Sequence, residues 1–265
     1  MRALAIGAAL VLALTACSTE TSWAPVIAVP AEYSTLTAAI AAAPDGATIR
    51  LAPGTYDGPV AIVRPLSILA EPGSVEIVGA PGTTVFSVSG TEGVTLQGLT
   101  IVGGDIGVAV TLSSEVTIAG NLILESGHRG VEVVSAAATV KGNHIRPAPG
   151  PFVIGIRVAN STSWPDSMIL DNVVDHAGGY GIAVNFANAT VRDNEVTGGD
   201  RAGIAINEMS VGNVTGNSVS DAPRYGILVH DMSHAVVSDN LIVGAQEPIK
   251  LTFHSTVELS GNESE

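Results

Sequence analysis

Asparagine recurs at residues 121, 143, 172, 194, 217, 240 and 262, each time directly after Gly or Asp. Every step is 22 or 23 residues except the one from 143 to 172. A second landmark, Gly followed by an aliphatic residue, falls at 107, 130, 155, 181, 203 and 226, with Pro248-Ile249 in the next equivalent place. A fixed period in this range marks a stack of similar units, each unable to bury its apolar face alone. Between landmarks the sequence contains three short runs of alternating apolar residues, such as "GIAV", "ATV" and "EV". None is long enough for a helix, and all fit half-buried strands. Three strands per repeat predict a triangular solenoid in which inward side chains stack on the same position one turn away, about 4.8 Å distant. Asn at a fixed turn tolerates a left-handed backbone and can pass hydrogen bonds to its copies above and below.

A leucine-rich repeat has a similar period, but its helix has no place here. The spacers are Gly, Asn, Ser and Asp turns, and Val, Ile and Thr outnumber Leu at the inward sites. The expected class is therefore all-β, a right-handed parallel β-helix of about nine or ten coils. Ahead of the repeats, "STLTAAIAAAPDGATIRLAPGTY" reads as a short helix capped by Ser34, with Leu36, Ile40 and Ala43 on one side, closing the open end of the stack. No equivalent cap is read after Asn262, so the strand edge there is either guarded by the acidic residues that follow or open to docking, end-to-end association included.

The repeat region, residues 33 to 262, resembles the parallel β-helix repeats of the pectate-lyase-like superfamily, whose members include polysaccharide lyases, hydrolases, epimerases and binding proteins. The resemblance implies a substrate lying along the strand that opens with Gly-Ile or Gly-Val. The outward position of that strand reads Ala109, Glu132, Arg157, Ala183, Ala205, Leu228 and Lys250. The turns before it read "SGHRG", "DHAGGYG", "GGDRAG" and "DAPRYG". They concentrate groups suited to uronate chemistry: a cation for the carboxylate, a base for the C5 proton and an acid for the leaving side. His176 is the candidate base, Tyr180 or Tyr225 the acid, and Arg201 or Arg224 the clamp. His128, Arg129, Arg157, Asp200 and Trp164 are candidate substrate contacts. The coil around Gly155 carries an insertion on each side of the strand, and Phe152 and Trp164 in them are suited to stacking on a sugar ring. Residues of these types also occur in exposed turns for solvation alone, so a structural or adhesion scaffold without chemistry is the competing reading. After the strand, Asn185 and Asn207 are placed for a second ladder, and His230-Asp231 for a metal or acid/base pair. No trio at metal-ligand spacing accompanies that pair, so no zinc or copper site is expected from it. Calcium bridging an acidic sugar to Asp or Glu is the cofactor left open.

Composition sets the remaining limits. The mean hydropathy of +0.41 suits a membrane protein, but after residue 16 the apolar runs are too short for a spanning helix, which needs about 20 residues. A net charge of −14 repels phosphate polymers, so nucleic acid is an unsuitable partner and a glycan a suitable one. Residues 1–16 read as an export signal, with Arg2 and then an apolar stretch from Ala3 to Leu14. Leu14-Thr15-Ala16-Cys17 resembles the bacterial lipobox, which implies acylation of Cys17, the only cysteine, and a cell-envelope location held by the membrane anchor. Residues 17–30 are then a tether, at most about 40 Å long at roughly 3.3 Å per residue, and residues 31–265 the β-helix domain.

Overall fold

The computed structural model describes residues 24–265; the signal segment and Cys17 lie outside the described residues. Among those described, the chain winds through three parallel sheets of 11, 10 and 9 strands, here called A, B and C in the order each coil visits them. Ala47–Leu51 (A), Gly54–Asp57 (B) and Val60–Ile62 (C) make up an early coil, and Asn188–Arg192, Glu195–Gly198 and Ala202–Asn207 a late one. Every strand pairs with its equivalent one coil away in parallel register. With three strands per turn and parallel pairing throughout, this is the right-handed parallel β-helix the period predicts. The longest sheet has 11 strands, so the stack has about 11 turns, more than the nine or ten coils expected, because Val26–Val29 adds a strand to sheet A ahead of the first repeat. That strand corrects the expected boundary at residue 31. It places Ile27 and Val29 in the core, so the β-helix already includes Val26.

Inside the coil, one residue type stacks on its kind. Ile156, Ile182, Ile204 and Ile227 form one inward row of sheet C, and all are fully buried. Each such side chain contributes about 1.5–3 kcal/mol by leaving water. The helix Leu36–Ala42 covers the first coil, burying Leu36, Ala39 and Ile40. Its N-cap is Thr35, whose hydroxyl accepts from Ala38 N–H, and not Ser34 as expected. Close by, the Tyr56 hydroxyl donates to Ala52 O at 2.7 Å, and burial raises its pKa above the ordinary tyrosine value, with Glu71 adding to the shift.

The asparagine column forms as read, at the turn from A to B. Each Nδ2 donates to Oδ1 of the next asparagine at 2.8–3.0 Å, from Asn121 through Asn262. Each also donates to a carbonyl of the preceding coil, as Asn194 does to Ile169 O at 2.9 Å. The turn from C to A carries serines instead. Ser233 Oγ accepts from Ser210 N, and Ser255 Oγ from Ser233 N. The second asparagine ladder does not form: Asn185 and Asn207 share a register position, yet Asn207 Oδ1 is buried with no hydrogen-bond partner. Both project from the outer face of sheet C, where the serine turn has already satisfied the backbone.

Candidate functional site

The outer face of sheet C carries the row predicted from the sequence, in unbroken register: Ala109, Glu132, Arg157, Ala183, Ala205, Leu228 and Lys250. A parallel row at the start of the strand holds Ile106, Arg129, Ile154, Tyr180 and Ala202. The Gly that opens each strand sits where no Cβ fits; on Gly181 it would lie 2.2 Å from Val196 Cγ1 and 2.7 Å from Gly203 O. This close approach explains the second sequence landmark.

In the last coils the two rows form a cleft of about 420 Å³ lined by Tyr180, Arg201, Arg224, Tyr225, Leu228, His230, Thr252 and Phe253. Leu228 of its lining belongs to a small apolar cluster separate from the core, with Ala202 and Ala205, against which Tyr180 and Tyr225 pack. The guanidiniums stand on aromatic faces. Arg201 lies 5.4 Å from the Phe152 ring centre and 5.8 Å from that of Tyr180, and Arg224 lies 4.9 Å from that of Tyr225. Among the described residues neither arginine has a carboxylate within ion-pair distance. Phe152 reaches this position because the insertion before Gly155 packs directly on the next coil. A Cβ on Gly178 would lie 2.0 Å from Gly150 O, which accounts for the paired glycines of "DHAGGYG".

The structure thus gathers four of the five candidate catalytic residues, Tyr180, Arg201, Arg224 and Tyr225. His176 is not among them. Its left-handed backbone (φ 56°) turns it to the other side of the proline-rich insertion, where it lines a separate recess of about 550 Å³ with Glu125, Arg146 and Pro147. Its neighbour Asp175 lies 2.6 Å from His144 Nε2. The imidazole within the cleft is His230, bonded through Nδ1 to the Thr252 hydroxyl and 3.1 Å from Asp231 through Nε2, with Phe253 edge-on at 4.8 Å. Thr252 and Phe253 were missed. Their signal was the apolar residue just past the Gly-Ile strand, which sequence alone does not assign to either flank.

The candidate contacts divide in the same way. Arg129 and Arg157 converge on Glu132: Arg157 Nη1 donates to Oε1 at 2.8 Å, while Arg129 Nε lies 3.0 Å from the same oxygen without hydrogen-bond alignment. His128 faces Asp105 at 3.4 Å. Asp200 is exposed beside Arg201. Trp164 does not join Phe152. The loop after Ala159 leaves at the turn from C to A and places Trp164 in a recess of about 710 Å³ with Asp45, Arg64, Glu92 and Leu112, over earlier coils. At the far edge the Lys250 ammonium is held above the ordinary lysine range by its hydrogen bond to Glu247 at 2.7 Å. Among the described residues no three His, Cys, Asp or Glu side chains converge as metal ligands, and no helix is long and apolar enough to cross a membrane.

No curated protein sequence matches the chain. A family described as "Periplasmic copper-binding protein (NosD)" matches residues 135–263. Among solved structures, the periplasmic alginate epimerase AlgG is similar at 14% identity and TM-score 0.60, over 83% of this chain and 61% of that one, so this chain spans less than two thirds of that enzyme's length. Pectate lyase Pel9A is similar at 13% and 0.63, over 90% and 78%. PfbA, a surface adhesin of Streptococcus pneumoniae, is similar at 12% and 0.54, over 83% and 84%. Likeness at identities this low shows the shared fold alone, a parallel β-helix.

Proposed function

We propose that this protein is an envelope-anchored glycan-binding β-helix that holds an acidic polysaccharide in the cleft of its last coils. One observation carries the reading: Arg201 and Arg224 stand on aromatic faces in the cleft, with no carboxylate within ion-pair distance among the described residues. A guanidinium without a carboxylate of its own is a ready partner for a uronate, to which it offers two parallel N–H donors. Tyr180, Tyr225 and Phe152 supply apolar area for a sugar ring at low entropic cost. The anchor in this reading is lipid on Cys17, followed by a tether that keeps the cleft near the membrane surface. The epimerase and the pectate lyase, by their names, act on acidic polysaccharides, and the adhesin shows that the same fold also serves attachment.

A catalytic version of this reading requires a base inside the cleft. His230 occupies that place and His176 does not, so the residue to test is His230. The deciding experiment is a glycan array on the unlipidated body, followed by an assay for unsaturated uronate on each retained polymer. Retention without new absorbance is the expected outcome, and retention should survive a calcium chelator because the arginines meet the carboxylate directly. New absorbance, lost in His230→Ala, would convert the reading to a lyase. Failure to retain any acidic glycan would overturn it.

A further inference from the structure

The loop inserted after Ala159 takes no part in the cleft, yet it is firmly rooted. Ser161 and Ser167 at its two ends are fully buried, and their hydroxyls accept from Ala136 N–H and Ala138 N–H of the preceding coil, each at 3.3 Å. Between them Trp164 N–H donates to Ser161 O at 3.1 Å. Later coils use one serine at this turn, Ser210 and then Ser233, so the second anchor is particular to the loop. Its residues border two adjoining recesses over earlier coils. Trp164 lines one of about 710 Å³, Pro165 and Asp166 line one of about 480 Å³, and Ser114 belongs to both. Two strands of sheet C, Arg129–Val134 and Ile154–Ala159, lie between the coil of Leu112 and that of Tyr180, where the cleft begins.

We propose that this groove is a second carbohydrate site, one that takes an uncharged glycan and not the uronate polymer of the cleft. Val63 and Leu112 line the first recess with Trp164 and are exposed by 64% and 60%. Leu112 has a left-handed backbone (φ 49°), which asparagine or glycine adopts at lower cost, so neither the core nor the turn calls for a leucine there. An indole face with aliphatic carbons beside it suits the C–H face of a pyranose ring. Asp45 and Glu92 in the first lining, and Glu115 and Asp166 in the second, are acceptors for pairs of sugar hydroxyls. Among the described residues none of these four carboxylates has a cation within ion-pair distance, and the one cation in either lining, Arg64, already donates to Ala43 O at 2.8 Å. The same carboxylates repel a uronate. Thr117 and Thr139, neighbours in one outward row of sheet A, add a hydroxyl in each of two coils about 4.8 Å apart. Recess size and the mixture of an apolar wall with a few polar groups are those of an ordinary small-ligand site. The inference rests on this groove alone and stands whether or not the cleft takes uronate.

The test is retention of the full chain, with Cys17→Ser to prevent acylation, on an array of gluco-, manno- and galacto-oligosaccharides that also pairs uronate oligomers with their carboxyl-reduced, uncharged forms. Wild type should retain at least one uncharged series. Trp164→Ala should weaken that retention by more than about tenfold and leave uronate retention unchanged. Leu112→Asn suits the left-handed turn, so the melting temperature should hold or rise while retention of the uncharged glycan falls a few-fold. With Trp23→Phe, Trp164 is the one tryptophan left, and its emission should shift to the blue and become shielded from acrylamide as the retained glycan is added. A wild-type chain that retains no uncharged glycan, a Trp164→Ala variant that retains it as tightly, or an unmoved Trp164 emission would each overturn the site. Loss of uncharged-glycan retention in Arg201→Ala with Arg224→Ala would do the same, by putting that ligand in the cleft.

Discussion

Two pairs of arginines border the outer face of sheet C, one standing in its two register rows and the other in the turns that lead into the strands. In the coils of Gly130 and Gly155, Arg129 and Arg157 close on Glu132. In the coils of Gly203 and Gly226, the positions in register with Glu132 are Ala205 and Leu228, and Arg201 and Arg224 rise from the preceding turn onto aromatic rings. The backbone is the same in the two regions, so the difference lies in whether a carboxylate occupies the middle of the row. With it, two cations are consumed in holding neighbouring coils together. Without it, they are left to an outside anion. A solenoid therefore changes from scaffold to site by single outward residues, since its inward residues already meet the demands of the core.

The largest expected effect separates the pairs by assay. Arg201→Ala with Arg224→Ala should lower acidic-glycan affinity about 100-fold, since each charge-assisted bond to a carboxylate contributes about 1.5–3 kcal/mol. The melting temperature should hardly move, which thermal denaturation alongside an affinity column will read. Arg129→Ala with Arg157→Ala should do the reverse. Glu132, its side chain only 14% exposed, would lose both partners, at a cost of about 1–3 kcal/mol after allowing for the partial exposure of the pair. In a chain of this size that is a drop of several degrees, with glycan retention intact. If both doubles weakened glycan retention equally, the two regions would be one continuous site and the distinction would fail.

How far the sequence reveals this arrangement depends on what carries each signal. The coil, the asparagine ladder and the outward row were legible because each rests on a period, and a period survives without coordinates. Glu132 and Arg157 were read in that row, but their pairing was not, since it depends on side-chain direction. His176 and Trp164 failed for a related reason. Both were placed by their distance from a strand, whereas a left-handed residue at 176 and the exit side of the loop at 160 send them to other faces.

A smaller effect is expected from moving the carboxylate into the open region. Leu228→Glu puts an acid in the row position of Glu132, in the lining that Leu228 shares with Arg201 and Arg224. The position is 7% exposed, but two cations border it, so the charge finds partners there. Glycan affinity should fall about tenfold, as one internal carboxylate competes with the ligand's, and raising the ionic strength should not restore it. Isothermal titration against an acidic oligosaccharide will show the loss, and Leu228→Gln, equal in shape but uncharged, should show much less. Equal losses in the two variants would mean that the lining's shape matters and its charge does not.

The smallest effect is also the most direct break of the comparison, because it tries to open the closed region. Glu132→Gln leaves an amide oxygen that can still accept from Arg157, so the rungs stay joined and stability should change by less than about 1 kcal/mol. What changes is charge: Arg129 and Arg157 then stand within one register step of each other with no anion between them. Such a pair should retain sulfate or an acidic oligosaccharide weakly, a gain of a few-fold over the wild-type surface, measurable in the Arg201→Ala, Arg224→Ala background where the main cleft is silent. The gain should stay small because Ile154, in the row of Tyr180, offers no aromatic face on which a sugar ring can rest. Replacing Ile154 by Tyr as well should enlarge it. If the pair of changes confers nothing, unpaired guanidiniums are not sufficient, and the shape around Phe152 and Tyr225 is the part of the cleft that selects its ligand.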